Sequence, residues 1–221
     1  MDIKGSNLLR AIVSFIFLIF FSVQCHSEDT TAEQSLDKKV MKFLQGNEYG
    51  WRDMNVPEVD GQKLYDLIIK GGYKNAVEIG TSTGHSAVWI AWALSKTGGK
   101  LITIEIDEQR YNEALDNFKK AGLSEYIDAR LADAHELVRA LNGPVDFVFC
   151  DADKGWYKNY FTDLDPKIIK GGCYTAHNVS DSRWGGQRGT REFINYIKSL
   201  DTYNTTFYSE GAGLSISYKI E

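Results

Sequence analysis

Proline is scarce in this chain, three residues in 221, and cysteine and methionine are as rare. With so little proline and no low-complexity tract, the composition argues against long disordered stretches. Positive charge is short as well: 25 Lys and Arg face 30 Asp and Glu, a net charge of −5. No basic field is left to attract nucleic acid, so no nucleic-acid partner is expected. Internal repeats are absent. The single long hydrophobic run, Ala11 to Val23, has 13 residues, short of the ~20 that a membrane-spanning helix needs. What is present suffices for a core, with 43% hydrophobic and 13% aromatic residues. The length fits one domain with an extra segment at one end.

That extra segment is N-terminal. Lys4 and Arg10 precede the apolar run, and the polar, acidic QCHSEDTTAEQS follows it. A charged start, an apolar middle and a polar exit form the layout of a secretory signal. Cleavage after Ser27 fits; an uncleaved anchor, or a lipid on Cys25, are the alternatives. The charge order places the following domain outside the cytoplasm, exported or tethered to a membrane. Residues 1–27 are therefore read as signal peptide or membrane anchor, 28–53 as linker and N-terminal helix, and 54–221 as the main domain. Two cysteines remain beyond residue 27, Cys150 and Cys173. An exported chain could pair them, but they sit at opposite ends of their segments, which favours two buried thiols.

The main domain alternates. Glu58 to Ile69 is amphipathic, with Val59, Leu64, Leu67 and Ile68 assigned to one face. Strands are expected at Ala76–Ile79, Leu101–Ile106, Tyr126–Leu131, Val145–Cys150 and Gly172–Ala176. Helices between and after them are expected at Ser86–Leu94, Asp107–Ala121, Ala134–Leu141, part of Tyr157–Ile169, and Thr190–Leu200. The end, Thr205–Tyr208 and Leu214–Tyr218 around Glu210-Gly211-Ala212-Gly213, reads as a hairpin. Strand–helix alternation builds parallel strands with crossover helices on both faces. The fold class is thus α/β: a doubly wound, mostly parallel sheet closed by a C-terminal antiparallel hairpin. Ligands of such sheets bind outside the carboxyl ends of the strands.

Chemistry-bearing residues collect at those ends. Glu78-Ile79-Gly80-Thr81-Ser82-Thr83-Gly84-His85-Ser86 is a glycine-containing turn spaced G-x-x-x-G. It lacks both the G-x-G-x-x-G of a dinucleotide site and the lysine of a phosphate-binding loop, so it suits a nucleoside-type ligand better. Glu105 ends the second strand, where an acid can accept hydrogen bonds from ribose hydroxyls; a solvated strand-end acid is the alternative. Asp133 either reaches a base edge or caps the next helix. FCDADKGWY places Asp151, Asp153 and Lys154 at the end of the fourth strand, and AHN places His177 and Asn178 at the end of the fifth. Carboxylate, imidazole and amide could together hold a divalent metal, or form a hydrogen-bonded cluster with none. Trp156, Tyr157 and Trp184 either rim a pocket for a flat ring or pack on the domain. Arg183 and Arg188 could meet an acidic substituent.

Taken together, VEIGTSTGHS, LITIEID, IDARLADA, FVFCDADKGWYKNY, GGCYTAHN and GAGLSISYK resemble the cation-dependent, S-adenosylmethionine-using O-methyltransferases of the catechol and caffeoyl-CoA type. The resemblance runs from about Met54 to Lys219. It implies a Rossmann-like class I methyltransferase fold with a seven-stranded sheet. It also implies that Glu78, Gly80, Thr81, Gly84 and Ser86 lie on the methionine side of the cofactor. Val56 would touch the cofactor through its backbone, Glu105 would bind its ribose, Ala134 would lie on its adenine side, and Asp153 would face it. Asp151 would be a metal ligand, and Lys154 the general base. The family's other two metal ligands are an adjacent aspartate and asparagine, and this chain carries His177-Asn178 instead. Imidazole in place of a carboxylate removes a negative charge, which shifts preference from magnesium toward manganese, iron or zinc, or abolishes metal binding.

Such a site transfers a methyl group to a hydroxyl of a small, catechol-like acceptor. It holds oxygen and methyl aligned, and a metal acts as Lewis acid and template. Members of this family often pair, so a homodimer is an open expectation. A nicotinamide-dependent oxidoreductase would need the absent dinucleotide pattern. A non-catalytic extracytoplasmic binding module on the same fold remains the alternative, because S-adenosylmethionine is made in the cytoplasm.

Overall fold

The structure is a computed structural model that describes residues 31, 33–46, 51, 55–182 and 189–221. The signal or anchor segment, most of the linker, and Arg183, Trp184 and Arg188 lie outside the described residues. The chain divides into two units, residues 1–42 and 43–221. The first is helical where it is described, as the start of helix α1 (33–46). The second carries the sheet and its flanking helices. Among the described residues no helix is long and apolar enough to cross a membrane.

Seven strands form one sheet: β1 (Asn75–Ile79), β2 (Lys100–Glu105), β3 (Ile127–Leu131), β4 (Val145–Cys150), β5 (Ile168–His177), β6 (Tyr203–Tyr208) and β7 (Leu214–Lys219). Their order is β3-β2-β1-β4-β5-β7-β6. Strands β1 to β5 run parallel, and β7 is antiparallel to both β5 and β6. The chain winds outward from β1 to β3, then returns to β4 on the other side of β1. The crevice at that reversal is where an open α/β sheet takes its ligand. Central β4 is buried along its whole length. Helices α2 (Glu58–Gly71), α3 (His85–Thr97), α4 (Glu108–Ala121), α5 (Ala134–Ala140), α6 (Tyr157–Leu164) and α7 (Arg191–Lys198) flank the sheet. In α6 the buried residues are Tyr157, Tyr160, Phe161 and Leu164, the i, i+3, i+4, i+7 stripe of a one-sided helix.

Two expectations change. Val59 is exposed, and Asp60 and Gly61 are buried with Leu64, Leu67 and Ile68. At about 100° per residue, Asp60 falls inside the arc of the three apolar residues and Val59 about 80° outside it. Strand β5 is also longer than Gly172–Ala176. Its register shifts opposite Val145 and Phe147, and Gly171 sits there at φ 82°. The Gly171-Gly172 pair is a bulge inside the strand.

Cys150 and Cys173 are unpaired and buried, as expected. Burial pushes both thiols up to about 12, so they are inert neutral side chains.

Candidate active site

The turn after β1 must come very close to the loop after β4. Gly80 has φ 94°, and a Cβ there would lie 2.8 Å from the Asp151 carbonyl oxygen. Only glycine accepts both demands. The Gly80 and Thr81 amides donate to the Ile104 carbonyl at 3.0 and 3.1 Å. Ser82, at φ 49°, donates its amide to Glu105 Oε2 at 2.7 Å. Glu105 Oε1 accepts the amides of Ile106 and Asp107 at 3.1 and 3.0 Å. Glu105 is therefore a fixed carboxylate that binds the glycine turn to its own loop, rather than a solvated strand-end acid.

His85 holds the entry loop. The Trp89 indole donates to Nε2 at 3.2 Å, so the remaining proton sits on Nδ1, which donates to the Val56 carbonyl at 2.9 Å. Burial drives the imidazole down to about 4, against the opposing Val56 bond, so the ring is neutral. This fixes the Val56 backbone beside the site. The side-chain amide of Asn55 donates to Thr83 Oγ1 at 2.9 Å, and that of Asn117 to the Thr83 carbonyl at 2.9 Å.

These elements enclose a cavity of about 600 Å³, within the range of small-molecule sites. Val56, Gly80, Thr81, Ser86, Glu105 and Ala134 line it from the turn side. Asp151, Asp153, Lys154, His177 and Asn178 line it from β4 and β5. Glu78 and Gly84 do not line it. Gly84 stands at the start of α3 at φ 96°, packed on Phe118. Glu78 is fully buried behind Ser86, whose hydroxyl bonds to it. Asp133 caps α5, accepting the His135 amide at 2.9 Å, and also borders the cavity.

Sequence reasoning missed two residues here. His135 stacks on Tyr160 at 5.7 Å and meets the Trp156 edge at 4.6 Å, with its ring nitrogens 3.0 Å from Asp133 and 3.5 Å from Asp153. Trp156 thus packs on the domain. Tyr157 is core, its hydroxyl donating to the His177 carbonyl at 3.1 Å. The second missed residue is Asp60. From α2 it reaches His177, with Nε2 to Oδ2 at 2.9 Å, and Oδ2 also accepts the Ala212 amide at 2.9 Å. His177 Nδ1 lies 3.0 Å from Asp151 Oδ2, and Lys154 Nζ is bound to Asp151 Oδ1. Burial alone would lower His177, but its bonds to Asp151 and Asp60 and their charges outweigh this and raise it to about 9. The ring is an imidazolium between two carboxylates.

Residues 26–189 match the family model described as O-methyltransferase. The chain belongs to the O-methyltransferase family. Within it, the chain is 33% identical over 161 residues to caffeoyl-CoA O-methyltransferase 1 of Eucalyptus globulus, covering 68% of this chain and 64% of that one. It is 40% identical over 92 residues to catechol O-methyltransferase of Niastella koreensis, covering 40% of this chain and 41% of that one. It therefore spans less than two thirds of either relative. The O-methyltransferase from Bacillus cereus, solved in complex with SAH, superposes with a TM-score of 0.70 at 24% identity, over 82% of this chain and 90% of that one. The seven-stranded sheet is thus that of an O-methyltransferase fold.

The family's sulfonium cofactor suits this cavity. Ser86 lines the space, with the buried Glu78 carboxyl bonded behind it. Glu105, Asp133, Asp151 and Asp153 border the space together with Arg110, Lys154 and His177, which leaves a small negative excess toward a cationic ligand. A divalent cation on Asp151, His177 and Asn178 does not suit it. Both ring nitrogens of His177 and both oxygens of Asp151 already have partners. Asn178 remains at the cavity wall at φ 57°.

Proposed function

We propose that this chain is an S-adenosylmethionine-dependent O-methyltransferase acting on a small, catechol-like phenol. The observation that carries the reading is the Lys154–Asp151 pair on the wall of the same cavity whose opposite wall is the Gly80 turn and Glu105. One wall suits a nucleoside, and the other can handle the proton of an acceptor.

When bound, the cofactor supplies an electrophilic methyl on a sulfonium. Glu105 holds the ribose side, and Ser86, backed by the buried Glu78, holds the amino-acid side. Val56, fixed by His85, closes over that end. A phenol has a pKa near ~10 and is a weak nucleophile at neutral pH. Lys154 first releases its own proton to solvent; Nζ then accepts the hydroxyl proton, and the ammonium so restored is held against Asp151 Oδ1. The positive charges of Lys154 and His177 stabilise the oxygen as its proton leaves. Metal assistance is not part of this reading, because its ligands are engaged elsewhere. The leader-like N-terminus supports an exported or membrane-anchored enzyme.

The test is incubation of the purified full-length chain with S-adenosylmethionine and 3,4-dihydroxybenzoate, followed by mass spectrometry. Expected is a singly methylated product together with S-adenosylhomocysteine. Saturable cofactor binding with no turnover on a panel of catechols and hydroxycinnamoyl thioesters would instead identify a binding module.

A further inference from the structure

The position where the resemblance places a divalent cation is built, in this chain, around a histidine. Both ring nitrogens of His177 face carboxylate oxygens, Asp151 Oδ2 at 3.0 Å and Asp60 Oδ2 at 2.9 Å. Ionised carboxylates only accept hydrogen bonds, so each nitrogen must carry a proton. An imidazolium has no lone pair to give a metal. Asp151 is no freer, since its other oxygen is bound to Lys154.

Asp60 is the decisive part. The ligand set that the resemblance implies includes no residue of this helix, whereas an imidazolium, 3% exposed, needs a second counter-charge. The surrounding loop is shaped to that carboxylate. Ala212 donates its amide to Asp60 Oδ2 at 2.9 Å, and a Cβ on Gly211 would collide with the same carboxylate. Asp60, His177, Asp151 and Lys154 thus form a chain of alternating charge that is neutral in total. A dication placed among them would face two existing cations at a site with little water to screen them.

We propose that His177, clamped by Asp60 and Asp151, takes the structural place of the divalent cation, so that this chain neither binds nor needs a metal for methyl transfer. His177 is a positioning residue: it fixes Asp151, which fixes Lys154 at the cavity wall. The inference rests on the proposed methyl transfer for its kinetic consequence, but its binding consequence is independent of activity.

The experiment therefore has two arms on the full-length chain. In the first, Mn2+ is titrated into protein and free Mn2+ is followed by electron paramagnetic resonance. The wild type is expected to leave the free signal undiminished. His177→Asp, which restores the family's acidic ligand, is expected to remove one equivalent. One equivalent bound by wild type and lost in His177→Ala overturns the proposal, whether or not any turnover is seen. Nitrogen-15 spectra of histidine-labelled wild type add a readout that needs no variant to fold: both His177 ring nitrogens are expected to be protonated at neutral pH, and a neutral ring overturns the proposal. In the second arm, methylation by wild type is expected to show no loss in EDTA and no gain with Mn2+. Activity abolished by EDTA and restored by Mn2+ overturns it. No turnover in any tube counts against the methyl-transfer reading alone, and the Mn2+ titration then decides this proposal.

Discussion

Thr103 donates its hydroxyl to Glu78 Oε2 at 2.5 Å, directly under the glycine turn. That bond uses the only proton of Thr103, so the hydroxyl of Thr81, 2.5 Å away, must donate to Thr103. The relay ends on a carboxylate whose other oxygen is buried and unpartnered. Burial drives Glu78 up to about 8, against smaller lowering contributions from Ser86 and Thr103. An acid raised in the folded state contributes stability that is fully present below its unfolded value of 4.5 and is lost as pH rises through about 8.

Glu78→Gln is therefore expected to raise the melting temperature at about pH 8.5 and leave it little changed at about pH 4.5, because glutamine never has to ionise in the core. The same variant is expected to bind S-adenosylmethionine more weakly, since the Ser86 hydroxyl on the cavity wall loses the carboxyl that orients it. Scanning calorimetry at both pH values and calorimetric titration of the cofactor check the two halves. A melting temperature that falls at the higher pH would count against the buried-acid reading.

Asp60→Ala strands one N–H of a buried imidazolium. Removing one partner of a buried pair costs about 3–5 kcal/mol, so a large drop in denaturant midpoint is expected at neutral pH. His177 is raised from 6.5 to about 9. Its contribution is complete below 6.5 and lost as pH rises through about 9, so the penalty of Asp60→Ala is expected to shrink across that window. Urea melts across that range measure it.

Gly80→Ala places a Cβ 2.8 Å from the Asp151 carbonyl on a backbone at φ 94°. Backbone strain of this kind costs about 1–3 kcal/mol. Because the turn also lines the cavity, cofactor affinity is expected to fall with stability. Chemical denaturation and cofactor titration on one preparation test both.

Lys154→Met removes the group placed to take the acceptor proton while keeping most of the side-chain volume. A lost general base costs about 10²–10⁴-fold in rate, so kcat is expected to fall by that order with KM for S-adenosylmethionine little changed. Steady-state kinetics with the cofactor varied separates the two. An equal fall in kcat and rise in cofactor KM would place Lys154 on the wrong wall of the cavity.

Much of the fold was legible along the chain. Strand β4 has the boundaries expected from its apolar run, and Gly98 and Gly122 end α3 and α4 in left-handed conformation, as local chemistry demands. Site residues at strand ends were legible too, because a parallel sheet delivers every strand's carboxyl end to one edge. Asp60 was not. An acid in the first turn of a helix is normally a solvated partner of the helix dipole, and only its place in the apolar arc marked it as inward-facing.

Asp151, Lys154 and His177 were assigned to the cavity wall by chain order and by the ends of their strands. Their roles were not, because Asp151 and His177 in sequence fit a metal site and a hydrogen-bonded cluster equally well. The choice rests on Asp60 and the Gly211–Ala212 turn, which lie 117 residues before and more than 30 residues after His177. Local patterning sets periodicity, caps and turns through interactions a few residues apart. Whether a buried histidine holds a proton or a metal is a matter of which charges surround it, and only the packed sheet, helix α2 and the closing hairpin bring those charges together.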